Sequence, residues 1–123
     1  MTESQEVLPV APLAGEAAAW SPLVSIVIPT YNHLDLLKEC LNSLLLYTDL
    51  TQCEIIIVAN GCTDGTVEYL KNLPPIFRHQ VHCDALGYTA ATNAGIRDAR
   101  GTYVLLLNND VALLPQARGA WLD

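Results

Sequence analysis

Three short runs in this chain are apolar on both faces of an extended backbone: Leu23-Val-Ser-Ile-Val-Ile28, Glu54-Ile-Ile-Ile-Val-Ala59 and Thr102-Tyr-Val-Leu-Leu-Leu107. Successive side chains of a strand point to opposite faces, so such runs suit a sheet covered on both sides. Phe77–Val81 reads as a weaker strand with its polar side chains on one face. Between the strands the apolar period changes. Leu34, Leu37, Leu41, Leu44 and Leu45 follow a helical spacing to about Tyr47, with Asn32 as N-cap and Asp35 three positions on. Thr63 is expected to cap a short helix through Val67 and Leu70, closed by Pro74-Pro75. Thr89–Ala99 reads as an Ala-rich helix ended by Gly101, and Pro115 suits the first turn of a final helix. Strands alternating with helices predict an α/β fold with a parallel, Rossmann-like sheet and right-handed crossovers. Ligands then gather at the carboxyl ends of the strands, which makes the loops after the first, second and fourth strands the informative ones.

The rest of the composition narrows the classes of partner. Six Lys and Arg against 13 Asp and Glu leave a net charge of −7, which disfavours nucleic acid and anionic membranes. Cys40, Cys53, Cys62 and Cys83 form no C-x-x-C pair, and His79, His82 and Cys83 fit a half-polar strand better than a metal site. No basic start with an apolar stretch marks a signal peptide, and no run is long enough for a membrane span. Reduced thiols and a cytoplasmic location are therefore expected. Residues 1–22, with Pro9, Pro12, Pro22 and an Ala-rich stretch, read as a flexible leader, and residues 23–123 as the folded part.

The first loop, Pro29-Thr-Tyr-Asn-His33, has neither the G-x-G-x-x-G of a dinucleotide site nor a P-loop's Lys-Ser or Lys-Thr. It sets an aromatic ring, Tyr31, and small polar groups at the mouth of the sheet, suited to stacking on a flat base. The second loop, Ala59-Asn-Gly-Cys-Thr-Asp-Gly-Thr66, has two glycines for tight turns. Its Asn60 carries a donor and an acceptor for a base edge, whereas Asp64 reads as a helix cap. In the third of these loops, Asn108-Asn-Asp110, a carboxylate at the end of a strand can hold a hard divalent cation alongside water and ligand phosphates.

Together these blocks, with Asn93-Ala-Gly-Ile-Arg97, resemble family 2 glycosyltransferases in order and spacing over residues 23 to about 115. The resemblance implies an incomplete GT-A fold, the N-terminal donor-binding half. It implies binding of a nucleoside-diphosphate sugar with Mn²⁺ or Mg²⁺ and transfer to an acceptor with inversion. Pro29, Thr30 and Tyr31 match the first-loop segment, with Tyr31 against the base. Asn60 matches a base-reading acid, and Gly87 and Asn93 the segment that closes around the nucleotide. Asn108, Asn109 and Asp110 match the D-x-D element, Asn108 towards the ribose and Asp110 towards the cation.

The sequence departs from the family pattern at Ala59, Asn60, Cys62 and Asn108. Asp110 is left as the one carboxylate of its loop, so the cation is expected to arrive with the nucleotide. In the family the base comes later in the chain, so no residue of 1–123 is assigned that role and the chain alone is expected to be inactive. The alternative is a non-catalytic nucleotide-sugar-binding half-domain completed by another polypeptide. A sugar nucleotidyltransferase would want a glycine-rich, basic first loop, which Pro29–His33 lacks. The sugar, the base and the acceptor (glycan, lipid-linked or protein) stay open. Leu105–Leu107 and Trp121-Leu122 are expected to expose apolar surface and to favour self-association.

Overall fold

A computed structural model of the chain describes residues 21–115. Its elements are β1 (Val24–Thr30), α1 (Leu34–Tyr47), β2 (Cys53–Asn60), α2 (Thr66–Lys71), β3 (Phe77–His82), α3 (Tyr88–Arg97) and β4 (Tyr103–Leu106). The four strands are all parallel, in the order β3-β2-β1-β4. The alternation expected from the sequence is thus present in full.

The two central strands explain why their sequences lack a polar face. Val24, Ile26 and Ile28 of β1 and Ile55, Ile57 and Ala59 of β2 pack with Leu37, Leu41 and Leu44 of α1 and Leu70 of α2. On the other face Val27, Ile56 and Val58 pack with Ala91 of α3. Each of the valine, leucine and isoleucine side chains contributes roughly 1.5–3 kcal/mol on burial. Close approach of α3 depends on Gly95, where a Cβ would stand 2.5 Å from Val27 Cγ1 and 2.9 Å from Val58 Cγ2.

Strand β1 runs on through Pro29 to Thr30 rather than ending before the proline. The missing N–H does no harm there. Val27 accepts from Leu107 N at 3.0 Å and so faces β4, and Pro29 faces the same side beyond the last paired residue.

At the amino end of the sheet one carboxylate touches all four strands or their approaches. Glu54 on β2, 3% exposed, accepts from Ser25 Oγ on β1 (2.6 Å), Arg78 on β3 (2.7 Å) and the Arg100 amide before β4 (2.6 Å). The Arg100 side chain adds contacts of 3.1 and 3.0 Å from Nε and Nη2, and Gly101 N donates to Ser25 Oγ at 2.8 Å. Burial alone would raise the Glu54 pKa, but the Ser25 hydroxyl, the Arg100 amide and the two guanidinium groups outweigh it and hold the carboxyl below its ordinary value.

Three expectations need correction. Strand β4 is only partly buried: Leu105 packs against the core, whereas Tyr103 is 63% exposed and Val104 and Leu106 are exposed as well, at the edge of the described sheet. Helix α2 begins at Thr66 with Gly65 as N-cap, not at Thr63. Helix α1 starts from His33, whose side chain makes no capping bond, and Asn32 is spent elsewhere. The expected final helix after Pro115, Trp121-Leu122 and residues 1–20 of the leader lie outside the described residues; Pro22 is already buried.

A depressed carboxyl pKa in the folded state stabilises above the unfolded value and loses that contribution as pH falls through the folded one. Glu54→Gln should therefore cost about 2–3 kcal/mol at pH 7, since charged hydrogen bonds are lost while the arginines retain some solvent. The gap from wild type should close as pH falls below about 4.3, the ordinary glutamate value. Urea denaturation of both proteins between pH 7 and pH 3 measures this. A gap independent of pH would mean that the Glu54 charge does not hold the sheet.

Candidate functional site at the sheet reversal

The chain lays down β1, β2 and β3 outward in one direction and then returns to place β4 on the far side of β1. Loops leaving β1 and β4 therefore diverge, and a crevice opens at their carboxyl ends. Tyr31–His33 enter it after β1 and Asn108–Asp110 after β4. Asn109 bridges the crevice: its Nδ2 donates to Thr30 Oγ1 at 2.9 Å and to the Asn32 carbonyl at 3.4 Å. Thr30 is buried, so its hydroxyl serves that bridge.

Asn32 ties the first loop to the second. Its Oδ1 accepts from Thr63 N (2.8 Å) and Asp64 N (3.2 Å), and its Nδ2 donates to Thr63 Oγ1 (3.3 Å). Its own amide donates to Cys62 Sγ at 3.4 Å, and that thiol donates to Thr30 O at 3.5 Å. To reach these partners the chain turns through two left-handed residues, Asn32 (φ 56°) and His33 (φ 58°). Asparagine tolerates that conformation better than most residues. A strand-to-helix turn containing Asn but no glycine was the one sequence signal for this arrangement.

Asp64 caps both flanking helices, as its position near a helix start suggested. Its Oδ1 accepts from Thr66 N (3.0 Å) and Thr66 Oγ1 (2.5 Å), and its Oδ2 from Leu34 N (3.3 Å). The Thr66 hydroxyl, with the Thr66 and Leu34 amides, holds its carboxyl below the usual range.

Asn60, at the end of β2, is buried, and its Oδ1 accepts from Leu86 N at 2.6 Å. Its acceptor is thereby committed to the loop that leads to Gly87, leaving Nδ2 as the group to offer a ligand. Gly61 donates to His82 O at 2.8 Å with φ 73°, and a Cβ there would meet Ala85 N at 2.6 Å. Gly87 is the N-cap of α3. Asn93 is exposed further along α3, and among the described residues no hydrogen bond joins it to the crevice.

The candidate residues thus divide in two. Thr30, Asn60 and Asn109 are engaged in holding the loops, whereas Tyr31 (56% exposed), Asn108 and Asp110 present their side chains to solvent. Asp110 makes its charge felt on α1: burial, with the Asp110 charge adding to it, pushes the Cys40 thiol up to about 11. No group of three or more His, Cys, Asp or Glu able to hold a metal occurs among the described residues. One exposed carboxylate in a loop of oxygen-bearing side chains does fit a Mg²⁺-like ion, which takes one or two carboxylates and completes its shell with phosphates and water. A separate groove of about 320 Å³ is lined by Lys38, Leu41, Leu45, Tyr69, Leu73 and Phe77. Its lining is mainly apolar and includes none of Tyr31–His33 or Asn108–Asp110, so the crevice is the better candidate. All four cysteines are free thiols, and no described helix is long and apolar enough to cross a membrane.

Comparison with known proteins points the same way. The family described as Glycosyl transferase family 2 matches residues 25–118. The chain is 40% identical over 93 residues to the uncharacterized glycosyltransferase EpsJ of Bacillus subtilis, covering 72% of this chain and 26% of EpsJ. It superposes on the mannosyltransferase PcManGT of Pyrobaculum calidifontis, solved with GDP-Man and Mn²⁺, at TM-score 0.65 and 26% identity, over 76% of this chain and 29% of that one. For S. aureus TarS 1-349 with UDP the TM-score is 0.66 at 25% identity, over 75% and 28% of the two chains. The fold is thus that of GT-A glycosyltransferases, and the chain spans about a quarter of the length of these relatives.

The bracket at Asn32 separates two energetic contributions. Asn32→Gly should cost about 1–2 kcal/mol from the lost side-chain hydrogen bonds. Asn32→Ala should cost a further 1–2 kcal/mol or so, because a Cβ without a polar group is then held at positive φ. Chemical denaturation of the two variants measures the difference, and equal stability would mean that the left-handed turn is not required.

Proposed function

The chain belongs to glycosyl transferase family 2, and on that premise we propose that it binds the nucleoside-diphosphate sugar donor, with a divalent cation, for transfer to an acceptor with inversion. The observation that carries this is the bridge from Asn109 to Thr30 and Asn32, which brings the loops after β4 and β1 together where the sheet order reverses.

In that role each exposed side chain has a distinct task. Tyr31 offers a ring face to the base, and stacking of this kind tolerates different bases. Asn60 adds a donor at the base edge through Nδ2, and Asn108 a hydrogen bond to the ribose. Asp110 holds the cation together with the diphosphate, aided by the neighbouring oxygens of Asn108 and Asn109. The cation, when bound, neutralises the diphosphate as it leaves. Gly87 and Asn93 lie along the segment that would border the nucleotide. The role assigned to this chain is donor binding, and none of its residues is assigned as the base. Binding of UDP in one structural relative and of GDP-Man with Mn²⁺ in another supports this choice of ligand class.

Calorimetric titration with UDP and with GDP, each with Mn²⁺ and with chelator, tests the assignment. Wild type should bind at least one nucleotide, and chelator should weaken that binding. Asp110→Asn should abolish the response to metal and keep a weak metal-independent affinity. Tyr31→Ala should weaken binding about tenfold under both conditions, the loss of roughly one stacking contact, with its melting temperature unchanged. Wild-type binding indifferent to chelator would remove the metal from the account, and an Asp110→Asn variant that keeps the response would move it elsewhere.

A further inference from the structure

Ser43 is a polar residue on the apolar face of α1, between Leu41 and Leu44, and is only 7% exposed. Both capacities of its hydroxyl are in use. It donates to the Cys40 carbonyl one turn back at 2.8 Å and accepts from Leu113 N at 2.9 Å. The first bond fixes the rotor, so that the lone pair points at the Leu113 amide.

That amide closes the segment that contains Asp110. The segment opens at Asn108, whose carbonyl lies 4.0 Å from the Cys40 thiol and accepts a turn bond from Val111 N at 3.2 Å. Asn109 is held by Thr30 and Asn32. Asp110 therefore sits between an anchor on β1 and an anchor on α1, and the second is Ser43. Within the helix the hydroxyl brings no propensity advantage over alanine. Its bond to the distant loop accounts for its presence among leucines.

We propose that Ser43 is a positioning residue for the cation site: by holding the Leu113 amide it fixes the far end of the Asn108–Leu113 segment and so the place of the Asp110 carboxylate. This rests on the donor-binding role assigned to the crevice. It adds to that role a residue of α1 that touches neither nucleotide nor metal.

Amide hydrogen exchange and UDP titration on wild type, Ser43→Ala and Ser43→Thr provide the test. In wild type the Leu113 amide should be protected and the neighbouring Ala112 amide should exchange quickly, a readout that needs no variant to fold. Ser43→Ala should melt close to wild type, because alanine favours the helix. Exchange at the Leu113 amide, and with it at the Val111 turn amide, should accelerate about tenfold, the equivalent of one buried hydrogen bond. UDP affinity in chelator should not change, while the Mn²⁺ concentration for half-maximal enhancement should rise about fivefold, in line with the loss of one hydrogen bond. Ser43→Thr, which keeps the hydroxyl, should restore both. An unprotected Leu113 in wild type, or unchanged exchange in Ser43→Ala, overturns the tether. Faster exchange with an unchanged Mn²⁺ response overturns its link to Asp110. A wild type that binds UDP but ignores Mn²⁺ counts against the cation assigned to the crevice, and the exchange arm then decides the tether on its own.

Discussion

The Glu54 carboxylate is the interaction on which the rest of the structure depends. Leaving a carboxylate buried costs several kcal/mol unless it is paired and fully hydrogen-bonded. Here the hydroxyl of β1, a guanidinium from β3 and the amide and guanidinium before β4 all converge on it. Each donor is at its partner only in one register: Ser25 opposite Glu54, Ile56 opposite Arg78, and Ser25 opposite Val104. A one-residue slip of any strand would leave a charge or a hydroxyl unmatched in the core. The node therefore fixes the amino end of the sheet, and the carboxyl-end loops inherit their positions from it.

At that other end the cross-links are made mainly by carboxamides. Asn32 joins the loops after β1 and β2, Asn60 joins β2 to the approach to α3, and Asn109 joins β4 to β1. A carboxamide can donate and accept at once, so each can bracket two loops without bringing charge into a crevice that the proposed role fills with a diphosphate. Asp64 supplies the remaining acceptor, for the first turns of α1 and α2. Asp110 is then the carboxylate of its loop left exposed and uncommitted to holding structure, which is the condition for binding a cation that the ligand brings with it.

Much of this architecture was legible in the residues. Ile26–Ile28 and Ile55–Val58 announce burial on both faces, and the leucine spacing of α1 announces one apolar side. The crevice could be located because a parallel alternating sheet puts its loops at one end. What could not be read depends on which residues meet. Glu54 lies 29, 24 and 46 positions from Ser25, Arg78 and Arg100, and only the strand register brings them together. Asn32 looked like a cap for α1 because local spacing allowed it, but the helix starts one residue later, from His33, and Asn32 accepts from the amides of Thr63 and Asp64 instead. The run at β4 reads as apolar whether or not something covers it, so its pattern suggested burial at Tyr103 and Val104, whereas the exposure of Leu106 agrees with the apolar surface expected over Leu105–Leu107. Tyr31 and Asp110 were candidates from their residue types and their place at strand ends, the resemblance gave each a role, and the structure added the holding roles of Thr30, Asn60 and Asn109.

The proposed site lies at one end of the sheet, where β1 and β4 diverge, and takes a nucleotide together with a cation. Amide NMR spectra of the 123-residue chain with UDP or GDP, first with Mg²⁺ and then with Mn²⁺, locate the ligand and the metal together. Shifts are expected at Tyr31, Asn60–Gly61 and Asn108–Asp110 with Mg²⁺, and Mn²⁺ broadening should be strongest at Asp110 and its neighbours. Perturbations centred on the Lys38–Tyr69 groove, or broadening spread evenly over the acidic surface, would contradict that placement.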